Sequence, residues 1–449
     1  ADSVGGQSDF VASGTLPNGV PVILKTDGTV ESIYVTGVTE NIPAGSASLF
    51  NSGSSSWNDV AFDPNTADTF VVAYADASNS SYGTAVVGTI SGTTLSFGTE
   101  YVFNSGTTTY TAVAFDPNNS NNFVVSYRDN SNSNYGTAIV GTVSGTTIGF
   151  GAEYLFNAGS TVYISMAFDP NTAGKFVISY KDNDNLDKGT AVVGTISGTT
   201  LSFGAETVFN AASTVYISMD FDSNTAGKFV VVFRDSANSN YGTAMVGTVS
   251  GTSVTFGAKV VFNTGITVYI HLRFDPNTAD KFVVVYQDGG NSNYGTAIVG
   301  TVSGTAISFG TAVVFNSASV SLGTYIPKLS FDPSTTNKFV ALYQDGGNSF
   351  RSTAIVGTVS GTSISFGAEH ILTTAFDSYN SVSVDPNTAG KFVVVYADGA
   401  NSSYGTAIVG QLTTTITNLT STNFIGTSTA AYTNGQTATI AVQGGLSTN

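Results

Sequence analysis

Cysteine is absent from the 449 residues, so the chain has neither disulfides nor thiolate metal ligands. Only 10% of the residues are charged, and 30 acidic against 14 basic residues leave a formal net charge of -16. A chain this acidic lacks the basic surface that binds nucleic acid or an anionic membrane. No apolar run approaches the roughly 20 residues of a membrane-spanning helix. We therefore expect no nucleic-acid partner and no membrane insertion.

The residues that are abundant are those of turns and strands. The chain has 50 glycines and 12% aromatic residues, with many Ser, Thr, Asn and Val. Aromatic and β-branched residues favour strands, whereas Gly and Asn favour tight turns. The composition predicts an all-β fold.

One motif recurs seven times and divides the chain into repeats, numbered 1 to 7 here. It reads Phe-Asp-Pro-Asn or a close variant, and successive copies are 53 residues apart, except for 57 between the fifth and sixth. A second aspartate, in a Tyr-x-Asp motif, keeps step with the first. The aspartates of the first motif are Asp63, Asp116, Asp169, Asp222, Asp275, Asp332 and Asp385. Such a period indicates one supersecondary unit repeated along the chain.

Each repeat reads as four strands separated by turn residues. In repeat 3 these are Tyr163–Asp169, Lys175–Asp182, Gly189–Ser197 and Thr200–Asn210, and Pro170 ends the first strand. Four antiparallel strands, repeated radially, are typical of a β-propeller blade. A solenoid of stacked hairpins is the alternative. We predict a seven-bladed β-propeller of four-stranded antiparallel blades.

The two ends of the repeat array predict a closed ring. "AGSASLFN" (Ala44–Asn51) aligns with the fourth strand of repeat 2, "FGAEYLFN" (Phe150–Asn157), whereas repeat 7 departs from the pattern at its own fourth strand. An N-terminal strand would therefore complete the last blade and remove the open sheet edges. The predicted domains are a β-rich flanking module at 1–40, the propeller at 41–412, and the start of a C-terminal β module or a linker at 413–449.

Departures from the repeat are candidate site residues, because backbone geometry alone does not require them. Two alternating positions of the first strand are small or polar in most repeats, but carry Asp220, His271, Arg273 and Lys328 in repeats 4 to 6. Two interpretations remain open: a buried ion-pair cluster, such as Asp220 with Arg273, or a polar ligand pocket near the mouth of the channel.

Repeat 6 contains a further departure. "YQDGGNSFRSTAIVG" in repeat 6 matches "YQDGGNSNYGTAIVG" in repeat 5, except that Phe350, Arg351 and Ser352 replace Asn, Tyr and Gly. The same repeat carries an insertion within Ser319–Tyr325. We expect Phe350 and Arg351 to help form the ligand-contacting edge, on the face that carries the polar loops.

The repeated acidic residues have a structural interpretation first. Aspartates at turns accept backbone N–H groups, and we expect this of the Phe-Asp and Tyr-x-Asp copies. The stretch "DNDNLD" in repeat 3 also resembles a calcium loop, with Asp182, Asp184 and Asp187 as ligands, but lacks a closing glutamate. Ca²⁺ is the one cofactor the sequence suggests.

No pattern in the sequence predicts catalysis. With two histidines, His271 and His370, neither a Ser-His-Asp arrangement nor a histidine-bound metal has support. Of six glutamates, Glu100, Glu153, Glu206 and Glu369 occupy equivalent repeat positions, so they do not stand out as the paired carboxylates of a glycosidase.

The flanks "SDFVASGTLPNGVPVILKTDGTVESI" (Ser8–Ile33) and "NLTSTNFIGTSTAAYTNGQTATIAVQGG" (Asn418–Gly445) resemble modules of tail-fibre-like and other structural proteins of marine tailed phages. The repeats, of the kind "SGTTISFGAE.VFN…FDPNTAGKFVVVYRD", are similar to predicted propellers in such proteins. The resemblance implies a virion appendage or surface-adhesion role, with other virion or surface subunits as partners and a homotrimer formed through neighbouring regions.

We therefore predict a non-enzymatic propeller that binds a host-surface glycan or protein, in a virion or at an extracellular or cell surface. The alternatives are a bacterial adhesin, secreted or on the cell surface, and a glycan-active propeller enzyme of sialidase or glycosidase type.

Overall fold

A computed structural model describes residues 7–13, 16, 21–25, 27–32, 38–42, 45–320, 327–416 and 424–442. The chain divides into two compact units, residues 41–413 and residues 1–40 together with 414–449. The described residues form strands and three short 3-10 helices (Ala77–Asn79, Gly346–Asn348, Gly399–Asn401), which confirms the all-β fold class. Within these ranges, no helix has the length and apolar character needed to cross a membrane.

The strands are, in chain order, β1 (Gln7–Ala12), β2 (Pro21–Leu24), β3 (Thr29–Ser32), β4 (Val38–Asn41), β5 (Ser48–Phe62), β6 (Thr69–Asp76), β7 (Tyr82–Ser91), β8 (Thr94–Phe97), β9 (Tyr101–Phe115), β10 (Asn122–Asp129), β11 (Tyr135–Ser144), β12 (Thr147–Phe168), β13 (Lys175–Asp182), β14 (Lys188–Ser197), β15 (Thr200–Phe203), β16 (Thr207–Phe221), β17 (Lys228–Asp235), β18 (Tyr241–Ser250), β19 (Ser253–Phe256), β20 (Val260–Asn263), β21 (Thr267–Phe274), β22 (Lys281–Asp288), β23 (Tyr294–Ser303), β24 (Ala306–Phe309), β25 (Val313–Ser319), β26 (Lys328–Phe331), β27 (Lys338–Asp345), β28 (Arg351–Ser360), β29 (Ser363–Val384), β30 (Lys391–Asp398), β31 (Tyr404–Gln411), β32 (Thr413–Ile416), β33 (Phe424–Ser428) and β34 (Thr437–Val442).

The smaller unit is one five-stranded assembly. Its strands pair in the order β1-β3-β2-β33-β34, and β34 pairs with β1 again. Ala12, Leu16, Val22, Val30, Ala438 and Ile440 form its buried core. The two flanks were predicted as separate modules, and their described strands share hydrogen bonds and a core. A separate two-stranded sheet pairs β4 with β32.

The larger unit repeats one antiparallel sheet. In repeat 3 the first strand is the second half of β12, followed by β13 and β14, and the fourth strand is β15 with the start of β16. In five repeats the fourth strand runs on without interruption into the first strand of the next repeat, as β5, β9, β12, β16 and β29 do. These strands are 15 or 22 residues long because each serves two sheets.

The first and last repeats share a strand. The start of β5 pairs with β31 of repeat 7, with Leu49 opposite Thr406 and Asn51 opposite Gly405, and the rest of β5 pairs with β6 of repeat 1. One buried cluster joins the two repeats, since Phe50, Val60 and Val72 pack with Val393 and Val395. The strand predicted to complete the sheet of repeat 7 therefore pairs there.

The second strands are the most deeply buried elements. In β17, Phe229 to Phe233 are all 0% exposed, because neighbouring sheets cover both faces of the strand. Such strands read as continuous apolar runs rather than alternating ones. Each buried Val or Phe contributes about 1.5–3 kcal/mol of hydrophobic free energy, so these strands are where the core lies.

Five of the seven Phe-Asp or Val-Asp aspartates bridge neighbouring repeats, whereas Oδ2 of Asp63 and Asp275 has no hydrogen-bond partner in the described part of the chain. Asp169 Oδ1 accepts from Asn171 N at 3.0 Å within its own turn, and its Oδ2 accepts from Gly227 N of the next repeat at 3.0 Å. Asp385 of repeat 7 makes the same contact to repeat 1, accepting from Asp68 N at 3.1 Å. The expected turn role of these aspartates is therefore combined with a bridge between repeats.

Candidate functional site

A cavity of about 380 Å³ is lined by the first strands of all seven repeats. Its wall contains the end of each first strand and the residue that follows the Phe-Asp or Val-Asp pair, namely Pro64, Pro117, Pro170, Ser223, Pro276, Pro333 and Pro386. The first strands of all seven repeats therefore line one common space.

Four of the six candidate site residues lie in the wall of this cavity: Asp220, His271, Arg273 and Lys328. Asp59 of repeat 1 joins them. Phe350 and Arg351 are not among the lining residues, because they lie at the start of the third strand of repeat 6. The structure therefore brings together the first-strand residues and places the other two apart from them.

Polar side chains of the first strands also bind the backbone of the next repeat. A first strand is the last of its sheet on the cavity side, so its outward N–H groups have no strand partner and need another acceptor. The contacts are Asp59 Oδ2 with Val113 N at 3.0 Å, Ser165 Oγ with Met219 N at 3.0 Å, Ser218 Oγ with Leu272 N at 3.1 Å, and His271 Nδ1 with Leu329 N at 3.2 Å.

His271 is a neutral imidazole in this arrangement. Its Nδ1 accepts a hydrogen bond from the Leu329 amide, so the proton of the neutral ring is on Nε2. Burial lowers the pKa of His271 well below its usual range, and the nearby cations Arg273 and Lys328 lower it further. His271 therefore combines a structural acceptor with an N–H donor that has no partner among the described residues.

The cavity holds two cations and two carboxylates. Burial lowers the pKa of Lys328, Asp59 opposes that shift, and Arg273 adds to it. Burial raises the pKa of Asp220, and the Arg273 guanidinium opposes the rise. The salt bridges of the described residues do not include an Asp220–Arg273 pair, and both side chains lie in the wall of one polar cavity. The ligand pocket and the buried ion-pair cluster stay predictions.

A ring of aromatic side chains lies at the opposite ends of the same strands. Its members, called the aromatic ring here, are Trp57, Tyr110, Tyr163, Tyr216, Tyr269 and Tyr379. The centroids of side chains in contact are 4.3 to 5.8 Å apart. Trp57 of repeat 1 and Tyr379 of repeat 7 are one such pair, 5.4 Å apart. All six are partly exposed.

Every member of the aromatic ring has a left-handed backbone. Their φ angles lie between 52° and 55°, a region that costs a bulky residue energy and is uncommon outside glycine and asparagine. Each lies at a β-bulge, where the register with the second strand shifts, as between Val162 and Ser165 in repeat 3. Strained conformations that recur at one place mark candidate functional sites.

Cationic side chains of the second strands flank part of the aromatic ring. The middle residue of the Tyr-x-Asp motif is basic in repeats 2 to 4, as Arg128, Lys181 and Arg234. The Arg234 guanidinium lies over the Tyr216 ring, 4.9 Å from its centroid. Burial raises the pKa of Tyr163 to about 12, so its hydroxyl stays protonated as a donor at neutral pH.

The break in repeat 6 is matched by a change in packing. In repeat 3, a Cβ added at Gly189 would lie 2.4 Å from Cε2 of Phe209, so a side chain does not fit. In repeat 6, Ser352 stands at this position, Leu372 replaces the phenylalanine, and Ser352 Oγ donates to Asp377 Oδ1 at 2.7 Å. The serine in "FRS" therefore follows from a smaller neighbour. The adjacent insertion lies partly in 321–326, outside the described residues.

The proposed calcium ligands each have a protein partner. Asp182 Oδ1 accepts from Asp184 N at 3.2 Å, Asp184 Oδ2 accepts from Ser160 N at 2.9 Å, and Asp187 pairs with Lys181 Nζ at 3.0 Å. Among the described residues, no three acidic or histidine side chains are grouped closely enough to hold a metal ion.

The repeated acidic residues form structural contacts. In all seven repeats the Tyr-x-Asp carboxylate accepts from the N–H two residues further on, as Asp129 does from Ser131 at 3.0 Å. Glutamates of the fourth strand accept from buried tyrosines, as Glu153 Oε1 does from Tyr127 Oη at 2.7 Å. These acids match their structural interpretation.

The aromatic ring was not predicted from the sequence. The signal was present, because an aromatic residue occurs six residues before the Phe-Asp or Val-Asp aspartate in six of the seven repeats. This position resembles an ordinary strand residue, since nothing in a single sequence reveals a left-handed backbone or the contact of equivalent positions in neighbouring repeats.

No protein-family model and no curated protein matches the sequence. Among solved structures, the fold is similar to that of the BP39L lectin from Burkholderia pseudomallei, with a TM-score of 0.56 and 9% identity over 80% of this chain and 96% of the lectin. A protein of unknown function from Dyadobacter fermentans and Sqt1 from Chaetomium thermophilum each give a TM-score of 0.47 at 11% identity. Each alignment covers 83% of this chain, with 99% and 100% of those chains. At such identities the likeness to the lectin concerns the fold alone.

Proposed function

We propose that this chain is a seven-bladed β-propeller that binds carbohydrate without catalysing a reaction, in a phage tail fibre or another virion appendage that contacts a host-surface glycan. The observation that carries the binding proposal is the aromatic ring.

The strand pairing supports a closed propeller. Repeat 7 contacts repeat 1 through the shared strand β5, through Asp385 with the Asp68 amide, and through Ser381 Oγ, which donates to Asp59 Oδ1 at 2.7 Å. The Asp385 contact has the same form as the contact of Asp169 with the Gly227 amide between successive repeats. A ring of seven blades removes the exposed sheet edges that a linear array would leave.

The aromatic ring is suited to sugars. Partly exposed aromatic faces provide flat apolar surfaces for the C–H faces of a pyranose, and the flanking Arg128, Lys181 and Arg234 provide donors for its hydroxyl groups. The left-handed backbone costs each of these aromatic residues about 1–3 kcal/mol, which glycine would avoid. The presence of aromatic residues at six such positions therefore favours a binding role.

The likeness in fold to a lectin agrees with this proposal. The non-enzymatic part is supported by the structural roles of the repeated glutamates and by His271, whose Nδ1 is occupied by a backbone amide.

Trp57 permits a direct test, because it is the single tryptophan of the chain and belongs to the aromatic ring. The purified protein is screened on a glycan array, and each hit is titrated by tryptophan fluorescence. We expect saturable changes in emission, and we expect Tyr216→Ala to weaken binding about tenfold or more, as truncation of a central aromatic contact does.

Tyr154→Ala is the matched control, since Tyr154 is a partly exposed strand tyrosine outside the aromatic ring. It should bind as the unaltered protein does. Binding that Tyr216→Ala leaves unchanged would refute the site, and cleavage of any bound glycan would refute the non-enzymatic role. Detection of the chain in purified virions would support the appendage, whereas detection on a bacterial surface would favour the adhesin.

A further inference from the structure

The cations of the cavity have donors without partners among the described residues. In the described part of the chain, Arg273 makes one hydrogen bond, from Nη1 to the neighbouring Leu272 carbonyl at 3.1 Å, and Lys328 Nζ makes none. A guanidinium carries five N–H donors and an ammonium three. Most of the hydrogen-bonding capacity of these two groups therefore faces the cavity.

The carboxylates of the same wall are already hydrogen-bonded. Asp59 accepts from Val113 N and from Ser381 Oγ, at 3.0 and 2.7 Å, and Asp220 Oδ2 accepts from Phe274 N at 2.9 Å. The acids thus have fixed roles between repeats. Because their positions are held by the backbone, they cannot move freely to saturate the cations.

His271 provides a third donor close to these cations. Its Nδ1 is occupied by Leu329 N, which leaves the Nε2–H of the neutral ring available. A neutral histidine donates without adding a third buried positive charge. Repeats 5 and 6 therefore present a guanidinium, an ammonium and an imidazole N–H in one wall of one cavity.

We propose that this cavity binds a small oxyanion, the carboxylate of an acidic sugar residue, between Arg273 and Lys328, with the Nε2–H of His271 as a further donor. The site is separate from the aromatic ring, since none of the ring residues lines the cavity. The sugar part of this ligand rests on the proposed function, whereas the oxyanion part does not.

The size and the chemistry agree with such a ligand. A cavity of about 380 Å³ lies at the lower end of the range of small-molecule sites, roughly 300–1,000 Å³, and accommodates a single sugar residue. Arginine presents parallel N–H groups that match the two oxygens of a carboxylate. Serine hydroxyls in the same wall, from Ser330 and Ser383, can bind sugar hydroxyl groups.

The test compares galacturonate with galactose by isothermal titration calorimetry, because the two sugars differ in the carboxylate. We expect galacturonate to bind, galactose to bind at least tenfold more weakly, and inorganic sulfate to compete with galacturonate. Arg273→Ala and Lys328→Ser install residues that other repeats carry at these positions, so they should fold, and each should weaken galacturonate at least tenfold.

Lys281→Met is the control, since it removes one positive charge from repeat 5 outside the cavity, where Lys281 Nζ donates to the Gly361 carbonyl at 2.6 Å. It should leave galacturonate binding unchanged. Equal binding of the two sugars, absence of competition by sulfate, or wild-type affinity in both Arg273→Ala and Lys328→Ser would overturn the proposal.

The two proposals fail separately. A protein that binds galacturonate in an Arg273-dependent manner but no glycan through the aromatic ring retains the anion site and refutes glycan binding by the aromatic ring. A protein that binds array glycans in a Tyr216-dependent manner, with equal affinity for galactose and galacturonate, keeps the function and refutes the anion site.

Discussion

The strain at the aromatic ring makes an unusual prediction about glycine. Tyr163 has a φ of 54°, and its neighbours Tyr110 and Tyr216 lie 5.8 and 5.4 Å away between ring centroids. Replacing Tyr163 by alanine or by glycine removes the same aromatic contacts. The two variants therefore differ in backbone terms alone, and their difference isolates the strain.

The magnitude follows from two opposing terms. A left-handed backbone costs a residue with a Cβ roughly 1–2 kcal/mol, a cost that glycine does not have. Glycine loses about 0.5–1 kcal/mol more than alanine in chain entropy on folding. The sum favours glycine at this position by about 0.5–1 kcal/mol, whereas in an ordinary strand the entropic term makes alanine the more stable residue.

Urea unfolding of the two variants measures this difference. We expect Tyr163→Gly to be more stable than Tyr163→Ala, and the order to reverse at Tyr154, a strand tyrosine without positive φ. A lower stability of the glycine variant at both positions would refute the strain argument. It would also weaken the binding proposal, because the aromatic residues would then occupy an unstrained conformation.

Four further outcomes can be measured. Gly189→Ser should lower the free energy of unfolding by about 1–3 kcal/mol, because the added side chain clashes with Phe209. The double variant Gly189→Ser/Phe209→Leu, which copies repeat 6, should recover part of this loss in urea unfolding, and additive losses would contradict this packing account. Because the pKa of His271 is lowered, the unfolded chain binds a proton that the folded chain does not as the pH falls through about 6.5, and folding stability is lost on the acidic side. His271→Ser should therefore reduce the loss of folding free energy between about pH 6.5 and 5, by up to ~1.4 kcal/mol per pH unit as measured by urea unfolding. An unchanged dependence of stability on pH would mean that the histidine titrates normally. Replacing Phe350 by Asn and Arg351 by Tyr should preserve the melting temperature and weaken glycan binding, and unaltered affinity would remove both from the ligand-contacting edge. EDTA should leave the melting temperature unchanged, since each acid of the suggested calcium loop has a protein partner, and a fall that Ca²⁺ reverses would contradict this expectation.

The candidate site shows how far repeat positions carry a prediction. Asp220, His271, Arg273 and Lys328 were singled out because they depart from small residues, and they line one cavity. Alternation along a strand was sufficient for this, because equivalent positions of a repeated strand face the same way. The contact of His271 with Leu329 was not foreseeable, since it depends on which N–H group of the next repeat lies nearby.

Phe350 and Arg351 do not line this cavity, and their place at a ligand-contacting edge stays a prediction. Their departure from the repeat indicated a ligand edge, but a departure can also compensate for another one, as Ser352 and Leu372 do. Ser352 and Leu372 are 20 residues apart in the chain, and the pairing of the third and fourth strands of repeat 6 brings their segments together. A single sequence shows both changes without showing that they are related.

The period, the strand-forming residues and the turn motifs are local properties, so the sequence by itself determined the all-β class, the seven repeats and the N-terminal segment that pairs with repeat 7. Tertiary structure decided what depends on distances between strands and on backbone dihedral angles. It placed the cations and acids in one cavity, gave the acids partners and left donors of the cations without partners within the described ranges. It also set six aromatic residues at β-bulges in a left-handed conformation and brought equivalent positions of neighbouring repeats into contact. Both depend on how neighbouring sheets pack, which a single sequence does not show.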